Sequence, residues 1–248
     1  MKTVEFGKQH NDVIMLLHGG GLSWWNYKAE AELLKNQYHV VLPILDGHAG
    51  SDNDFISIEK NASWLISFID KEFGGSVLLI GGLSLGAQIL VEMLTQQNTI
   101  CQNAVIESAS VIPSKLTNAL IKPMFSLSYG LVKKKCFAQM QFDYLHIRKD
   151  LFEDYYRDTS QISKENMIAF LEANTSYEIK PGLQNAHTKV HILVGEKEQK
   201  KMICSAEQLH EALPDSVLEI KKGLYHGEYS INYPEEYTKE LLDMINAQ

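Results

Sequence analysis

Cysteine, arginine and long apolar runs are all scarce in this chain. Its 248 residues hold three cysteines (Cys101, Cys136 and Cys204), an odd number at wide spacing with no C-x-x-C pair. That excludes a disulfide framework and a zinc knuckle, and all three read as reduced packing residues of a cytosolic protein. Only Arg148 and Arg157 are arginines among 23 cationic residues, which face 31 Asp and Glu for a net charge of −8. Such a balance is poorly suited to tracking phosphates along a nucleic acid. The densest cationic run, Lys133-Lys134-Lys135, reads as a solvated helix face. No stretch reaches the ~18 apolar residues of a membrane span. The first apolar run, Val13 to Leu17, is too short and too late for the core of a signal peptide, so the chain is expected to start at Met1. Internal repeats and low-complexity tracts are also missing.

What remains is an ordinary globular composition, 45% hydrophobic and 22% charged, at a length that suits one large domain or one domain with an insertion. Short β-rich runs appear at Val13-Leu17, His39-Leu45, Ser76-Ile80, Ala104-Ile106, Val190-Val194 and Val217-Ile220, several apolar enough to be buried on both faces. Between them the period changes to that of helices, over about Trp25-Lys35, Ile58-Phe73, Leu85-Gln96, Ser205-Ala212 and Pro234-Ile245. This alternation predicts a doubly wound, mostly parallel α/β sheet. The rhythm stops from Val111 to Pro181, where some 70 residues read as short helices. A bare loop of that length is implausible, so residues 111–181 are expected to form a helical cap inserted into a core made of 1–110 and 182–248.

One motif carries the chemistry. Gly82-Leu83-Ser84-Leu85-Gly86 matches G-x-S-x-G directly after an apolar strand and directly before a helical pattern. With eighteen serines and sixteen glycines in the chain, only about 0.08 such matches are expected by chance. In this motif a sharp turn presents the serine, and side chains in place of the glycines would strike the neighbouring strand or helix. The first N–H groups of the following helix have no intrahelical acceptor and point toward an anion forming beside Ser84. A phosphate-binding turn is the other reading, but Gly81, Gly82 and Gly86 fit neither the dinucleotide nor the P-loop spacing.

Several segments in order resemble the α/β-hydrolase superfamily. Leu16-Leu17-His18-Gly19-Gly20-Gly21 looks like its HG-x oxyanion loop, and Asp46-Gly47-His48-Ala49-Gly50-Ser51 is similar to a shortened D-x-x-G-H-G-x-S segment. The serine motif, the insertion and two late strands follow in the family's order. The resemblance implies a nucleophile at Ser84 and a base at His226, in Lys222-Gly223-Leu224-Tyr225-His226-Gly227. His48 is the main competitor for the base, whereas His18, His191 and His210 have structural readings. The acid falls on Glu198, in Gly195-Glu196-Lys197-Glu198, where the family more commonly has aspartate; Glu107 and Glu196 are the alternatives. The backbone N–H groups of Gly20 and Leu85 are the implied oxyanion hole.

Trp24, Trp25, Phe125, Tyr129, Phe137, Phe142 and Tyr144 read as packing residues more than pocket lining. The expected activity is hydrolysis of a small-molecule carboxylic ester or thioester through an acyl-enzyme, with no metal or organic cofactor. Two alternatives stay open. One is a carbon–carbon bond hydrolase or lyase of the same fold, although the menaquinone-pathway enzymes typically carry an arginine where this chain has Gln88. The other is a ligand-binding receptor on a hydrolase scaffold.

Overall fold

A computed structural model describes residues 2–247. Seven strands form one sheet: β1 (Thr3–Phe6), β2 (Val13–Leu17), β3 (His39–Pro43), β4 (Val77–Leu83), β5 (Cys101–Glu107), β6 (Lys189–Gly195) and β7 (Val217–Lys221). Their spatial order is β1-β3-β2-β4-β5-β6-β7, with β1 antiparallel to β3 and every other pair parallel. β2 and β3 are buried along their full length because apolar layers cover both faces of the sheet. Along β2, Met15 and Leu17 enter one layer and Ile14 and Leu16 the other. This is why the strands read as continuous apolar runs instead of alternating ones.

Three helices follow the first strands: α1 (Lys28–Leu34), α2 (Ile58–Phe73) and α3 (Leu85–Gln96). The Ser57 hydroxyl accepts from the Lys60 N–H at the start of α2, and Gly74 ends that helix at φ 72°. Leu65 and Ile69 of α2 are fully buried in the first layer, each side chain contributing about 1.5–3 kcal/mol of burial. Between β5 and β6 lie α4 (Lys115–Val132), α5 (Lys135–Tyr144), α6 (Phe152–Thr159) and α7 (Lys164–Ser176). After β6 come α8 (Lys200–Ala212), then α9 (Glu228–Asn232) and α10 (Pro234–Asn246) beyond β7, the last with proline in its first turn.

The four helices α4–α7 and the turns between them share the apolar layers that cover the sheet. Val132, Ile162, Met167 and Phe170 pack in the layer of α2 and α3, while Phe142, Phe152 and Tyr155 pack with Trp25 in the other. Polar ties reinforce this: Trp25 Nε1 donates to Asp158 Oδ2 at 2.8 Å, Thr159 Oγ1 donates to the Gly21 carbonyl at 2.9 Å, and the Phe55 N–H donates to Asn166 Oδ1 at 2.9 Å.

Where the elements depart from the sequence pattern, local physics accounts for it. β1 is a short, half-buried edge strand containing Thr3 and Glu5, so its apolar signal is weak. The expected helix from Trp25 opens as a tight 3₁₀ turn over Trp24–Tyr27 before α1. The run His39-Leu45 leaves the sheet after Pro43, although Ile44 and Leu45 stay buried.

Candidate active site

The chain winds from β2 out to β3 and then back past β2 to β4, so the strand order reverses between β2 and β4. Ligands of open α/β sheets bind at such a reversal, beyond the carboxyl ends of the strands. The loop His18-Gly19-Gly20-Gly21 leaves β2 there, and Ser84 stands at the end of β4.

Ser84 occupies φ 53°, ψ −111°, a backbone region that residues with side chains rarely adopt. Its N–H donates to the Glu107 carbonyl at 2.9 Å, which holds the turn against the end of β5. The flanking glycines are required by close approach: a Cβ on Gly82 would lie 2.6 Å from the Gly86 carbonyl oxygen, and one on Gly86 would strike the Leu17 and His18 carbonyls. The hydroxyl of Ser84 is thereby turned out of the sheet into the crevice.

His226 sits after β7 at the tip of a loop that enters α9, and its Nε2 lies 3.0 Å from Ser84 Oγ. Its Nδ1 lies 2.6 Å from Glu198 Oε2. Because a carboxylate only accepts, the proton resides on Nδ1, which leaves Nε2 to accept from the serine hydroxyl. Gly195 lets this loop close on the end of β6, since a Cβ there would collide with the Leu224 and Tyr225 carbonyls. Ser84, His226 and Glu198 therefore form one hydrogen-bonded row across the ends of β4, β7 and β6.

The Glu198 side chain has no solvent exposure, whereas the His226 side chain is 44% exposed. Burial alone would raise the Glu198 carboxyl, but hydrogen bonds from His226, from Ser108 Oγ (2.6 Å to Oε1) and from the Gly195 N–H (2.8 Å to Oε1) outweigh it and hold the pKa below the ordinary value. For His226, partial desolvation of the ring opposes its charged form, but the Glu198 carboxylate outweighs this and raises the pKa, with Glu107 adding to the effect.

Other predicted candidates have different surroundings. Glu196 accepts from the Gly223 N–H at 2.8 Å and is exposed. Glu107 is 2% exposed; one oxygen accepts from the Ser230 N–H at 3.3 Å and the other has no partner among the described residues. Burial pushes the Glu107 carboxyl up to about 7. His48 is buried, with Nε2 accepting from the Gly21 N–H at 3.1 Å and its ring stacked on Phe170. His18 Nε2 accepts from the Leu45 N–H at 3.2 Å. Burial lowers these two rings to about 4 and about 3, so both are neutral fixtures of the loops.

Gly19 and Gly21 spend their N–H groups on Asn26 Oδ1 and His48 Nε2. The Gly20 N–H between them has no acceptor among the described residues, and a Cβ on Gly20 would lie 3.5 Å from the Leu85 side chain. Leu85 opens α3, so its own N–H lacks an intrahelical acceptor. Sequence reasoning did not single out Ser108, whose hydroxyl fixes Glu198. The available signal was its place, directly after Glu107 at the carboxyl end of a buried strand. Among the described residues no three His, Cys, Asp or Glu side chains converge in a set able to ligate a metal ion.

The profile of the Alpha/beta hydrolase family matches residues 14–222. The chain belongs to that family. Solved structures of the α/β-hydrolase fold cover nearly all of it at low identity. A thermophilic esterase from Thermogutta terrifontis is 16% identical, with 99% of this chain and 94% of that one covered at a TM-score of 0.79. The enol-lactonase from Burkholderia xenovorans is 14% identical, with 98% and 95% covered at 0.82. MenH from S. aureus is 17% identical, with 98% and 97% covered at 0.75. Identities this low establish a shared fold. No curated protein matches the chain significantly in sequence.

Two cavities open on the α/β-hydrolase site. The inner one, about 140 Å³, is lined by Gly20 and Ser84 and walled by Leu22, Leu145, Ile147 and Ile231. The outer one, about 380 Å³, lies beyond His226 and includes Tyr144, His146, Met202 and Tyr225. Of the aromatics expected to pack, Trp25 and Phe142 are buried and Phe125, Tyr129 and Phe137 lie against the core. Tyr144 is the exception: it is 77% exposed and borders the outer cavity.

Proposed function

We propose that this α/β hydrolase is a serine esterase that cleaves small-acyl carboxylic esters or thioesters through an acyl-enzyme. The observation that carries the reading is the Ser84–His226–Glu198 row, at 3.0 and 2.6 Å. His226 Nε2 takes the hydroxyl proton as Ser84 Oγ adds to the substrate carbonyl, and Glu198 stabilises the imidazolium. The Gly20 and Leu85 N–H groups receive the oxyanion. The imidazolium then protonates the leaving alcohol or thiol as the ester bond breaks. Water, deprotonated by the same imidazole, hydrolyses the acyl-serine and restores the enzyme. In this scheme α4–α7 act as a cap over the crevice, with residues 111–181 inserted into the catalytic core.

The cavities support a division of the substrate. An apolar cavity of ~150 Å³ is benzene-sized, so the inner space suits acyl chains of a few carbons. The larger outer cavity suits the leaving group. Gln88 counts against the lyase alternative, because it is fully buried and its amide is committed to the Ser110 and Asn174 carbonyls (2.6 and 2.9 Å) and the Asn174 side chain (2.9 Å). It is closed to a substrate carboxylate.

The test is a series of p-nitrophenyl esters graded from acetate to palmitate. We expect kcat/KM to peak at short chains and to fall by about tenfold or more once the acyl group outgrows the cavity, since a single misfitting methylene costs about 1–3 kcal/mol. A maximum at long chains would contradict the proposed acyl site.

A further inference from the structure

α4 turns outward an apolar stripe that the fold does not use. Leu116, Leu120, Met124, Leu127 and Leu131 are 75%, 48%, 60%, 91% and 39% exposed. Their spacing of four, four, three and four residues confines them to an arc of roughly 100° on one side of the helix. The other side is already occupied: Ile121 and Val132 are buried, and Phe125 and Tyr129 pack against the core. The helix is therefore apolar on two faces, only one of which the protein covers. On α5, Met140 and Tyr144 (60% and 77% exposed) add apolar surface, and Tyr144 also borders the outer cavity. Contiguous patches of this kind mark surfaces that meet something other than water.

Charge identifies the occupant. Residues 115–135 contain five lysines and no aspartate or glutamate, in a chain whose net charge is −8. Lys135 pairs with Glu153 at 2.6 Å, whereas Lys115, Lys122, Lys133 and Lys134 have no ion-pair partner among the described residues. By helical position Lys115, Lys122 and Lys133 stand on the polar side of α4, roughly 140–160° from the centre of the stripe, where an interfacial helix carries its basic residues. An anionic lipid surface attracts the same lysines and receives the leucines below its head groups. No helix among the described residues is long and apolar enough to cross a membrane, so contact with lipid is peripheral.

We propose that α4 docks the protein on an anionic lipid surface, with Leu116, Leu120, Met124, Leu127 and Leu131 sunk into the interface and Lys115, Lys122, Lys133 and Lys134 among the lipid phosphates. The inference is independent of the esterase reading.

Co-sedimentation with vesicles of phosphatidylcholine, alone or mixed with phosphatidylglycerol, tests it. The intact protein is expected to partition at least about tenfold more strongly onto the mixed vesicles, because each lysine near the surface contributes on the order of fivefold. Added salt weakens this preference. The double variant Leu120→Glu/Leu127→Glu is expected to lose about tenfold or more of that partitioning. Its circular dichroism and thermal midpoint, unchanged, show that it is folded, whatever its esterase activity. Absence of binding, equal binding to both vesicle types, or undiminished binding by the folded double variant would each overturn the proposal. So would a solution dimer that the double substitution dissolves, since α4 would then be covered by a second copy.

Discussion

Replacing Ser84 by alanine is expected to lower p-nitrophenyl acetate turnover by about 10⁴–10⁶-fold, the range seen when a serine nucleophile is removed from a hydrolase triad. Among the described residues the side chain's one hydrogen bond is to His226, and the turn is held by the backbone bond to the Glu107 carbonyl and by the close approach of Gly82 and Gly86. The variant should therefore fold normally, and substrate should still enter the cavities. The loss should fall on kcat, with KM and the thermal midpoint little changed. Single-turnover kinetics and circular dichroism on the same preparation separate a chemical defect from a folding defect. A folded variant that kept more than about a hundredth of wild-type turnover would exclude Ser84 as the nucleophile.

Glu198→Gln should cost about 10²–10⁴-fold in kcat/KM, because an amide can present its NH₂ to Nδ1 and favour the wrong imidazole tautomer. The pH profile gives a second readout. In the proposed mechanism His226 must be neutral to accept the serine proton, and its pKa is raised chiefly by Glu198 against the effect of desolvation. Wild-type activity should thus be lost as pH falls through a value above the ordinary histidine pKa of about 6.5. Without the carboxylate, that acid limb should move to lower pH. Glu107→Gln provides the contrast. With its carboxyl pushed up to about 7 by burial, Glu107 is substantially protonated near neutrality, and glutamine resembles the neutral acid. We expect kcat/KM within a few fold of wild type and a smaller shift of the limb. The reverse pattern would make Glu107 the acid.

The contrast between these two glutamates also shows where the sequence stops being informative. β4 and α3 were legible because a run buried on both faces must be apolar throughout, and because the serine turn requires glycines where backbones touch. Six of the seven strands and the mostly parallel architecture follow from the same patterns; the half-buried antiparallel edge strand β1 does not. Choosing among carboxylates is different in kind. Glu107 ends β5 and Glu198 follows the neighbouring β6, and a two-residue difference separates Glu196 from Glu198. Only the folded loop shows that His226 meets Glu198 while Glu196 caps Gly223 from outside. Ser108 left almost no trace in the pattern, since a single hydroxyl after a strand carries no periodicity. Gln88 was noticed for the arginine it replaces, but its bonds to Ser110 and Asn174 join segments far apart in the chain.

The helices between β5 and β6 illustrate the same limit at a larger scale. Their helical character could be read from the broken β rhythm. The side each helix turns to the protein could not, because α4 is apolar on both its covered and its uncovered face. Tyr144 likewise resembled its packed neighbours in composition, yet it borders the outer cavity. The inner cavity is walled by Leu22, Leu145, Ile147 and Ile231, which come from three separate stretches of the chain and have no local signature.

The proposed reactivity of Ser84 is best measured by covalent labelling with a fluorophosphonate at neutral pH, followed by peptide mass spectrometry. The account predicts one adduct, on Ser84, that disappears when His226 is replaced by alanine. An adduct on another residue, labelling that survives loss of the imidazole, or no labelling of folded wild-type protein would contradict it.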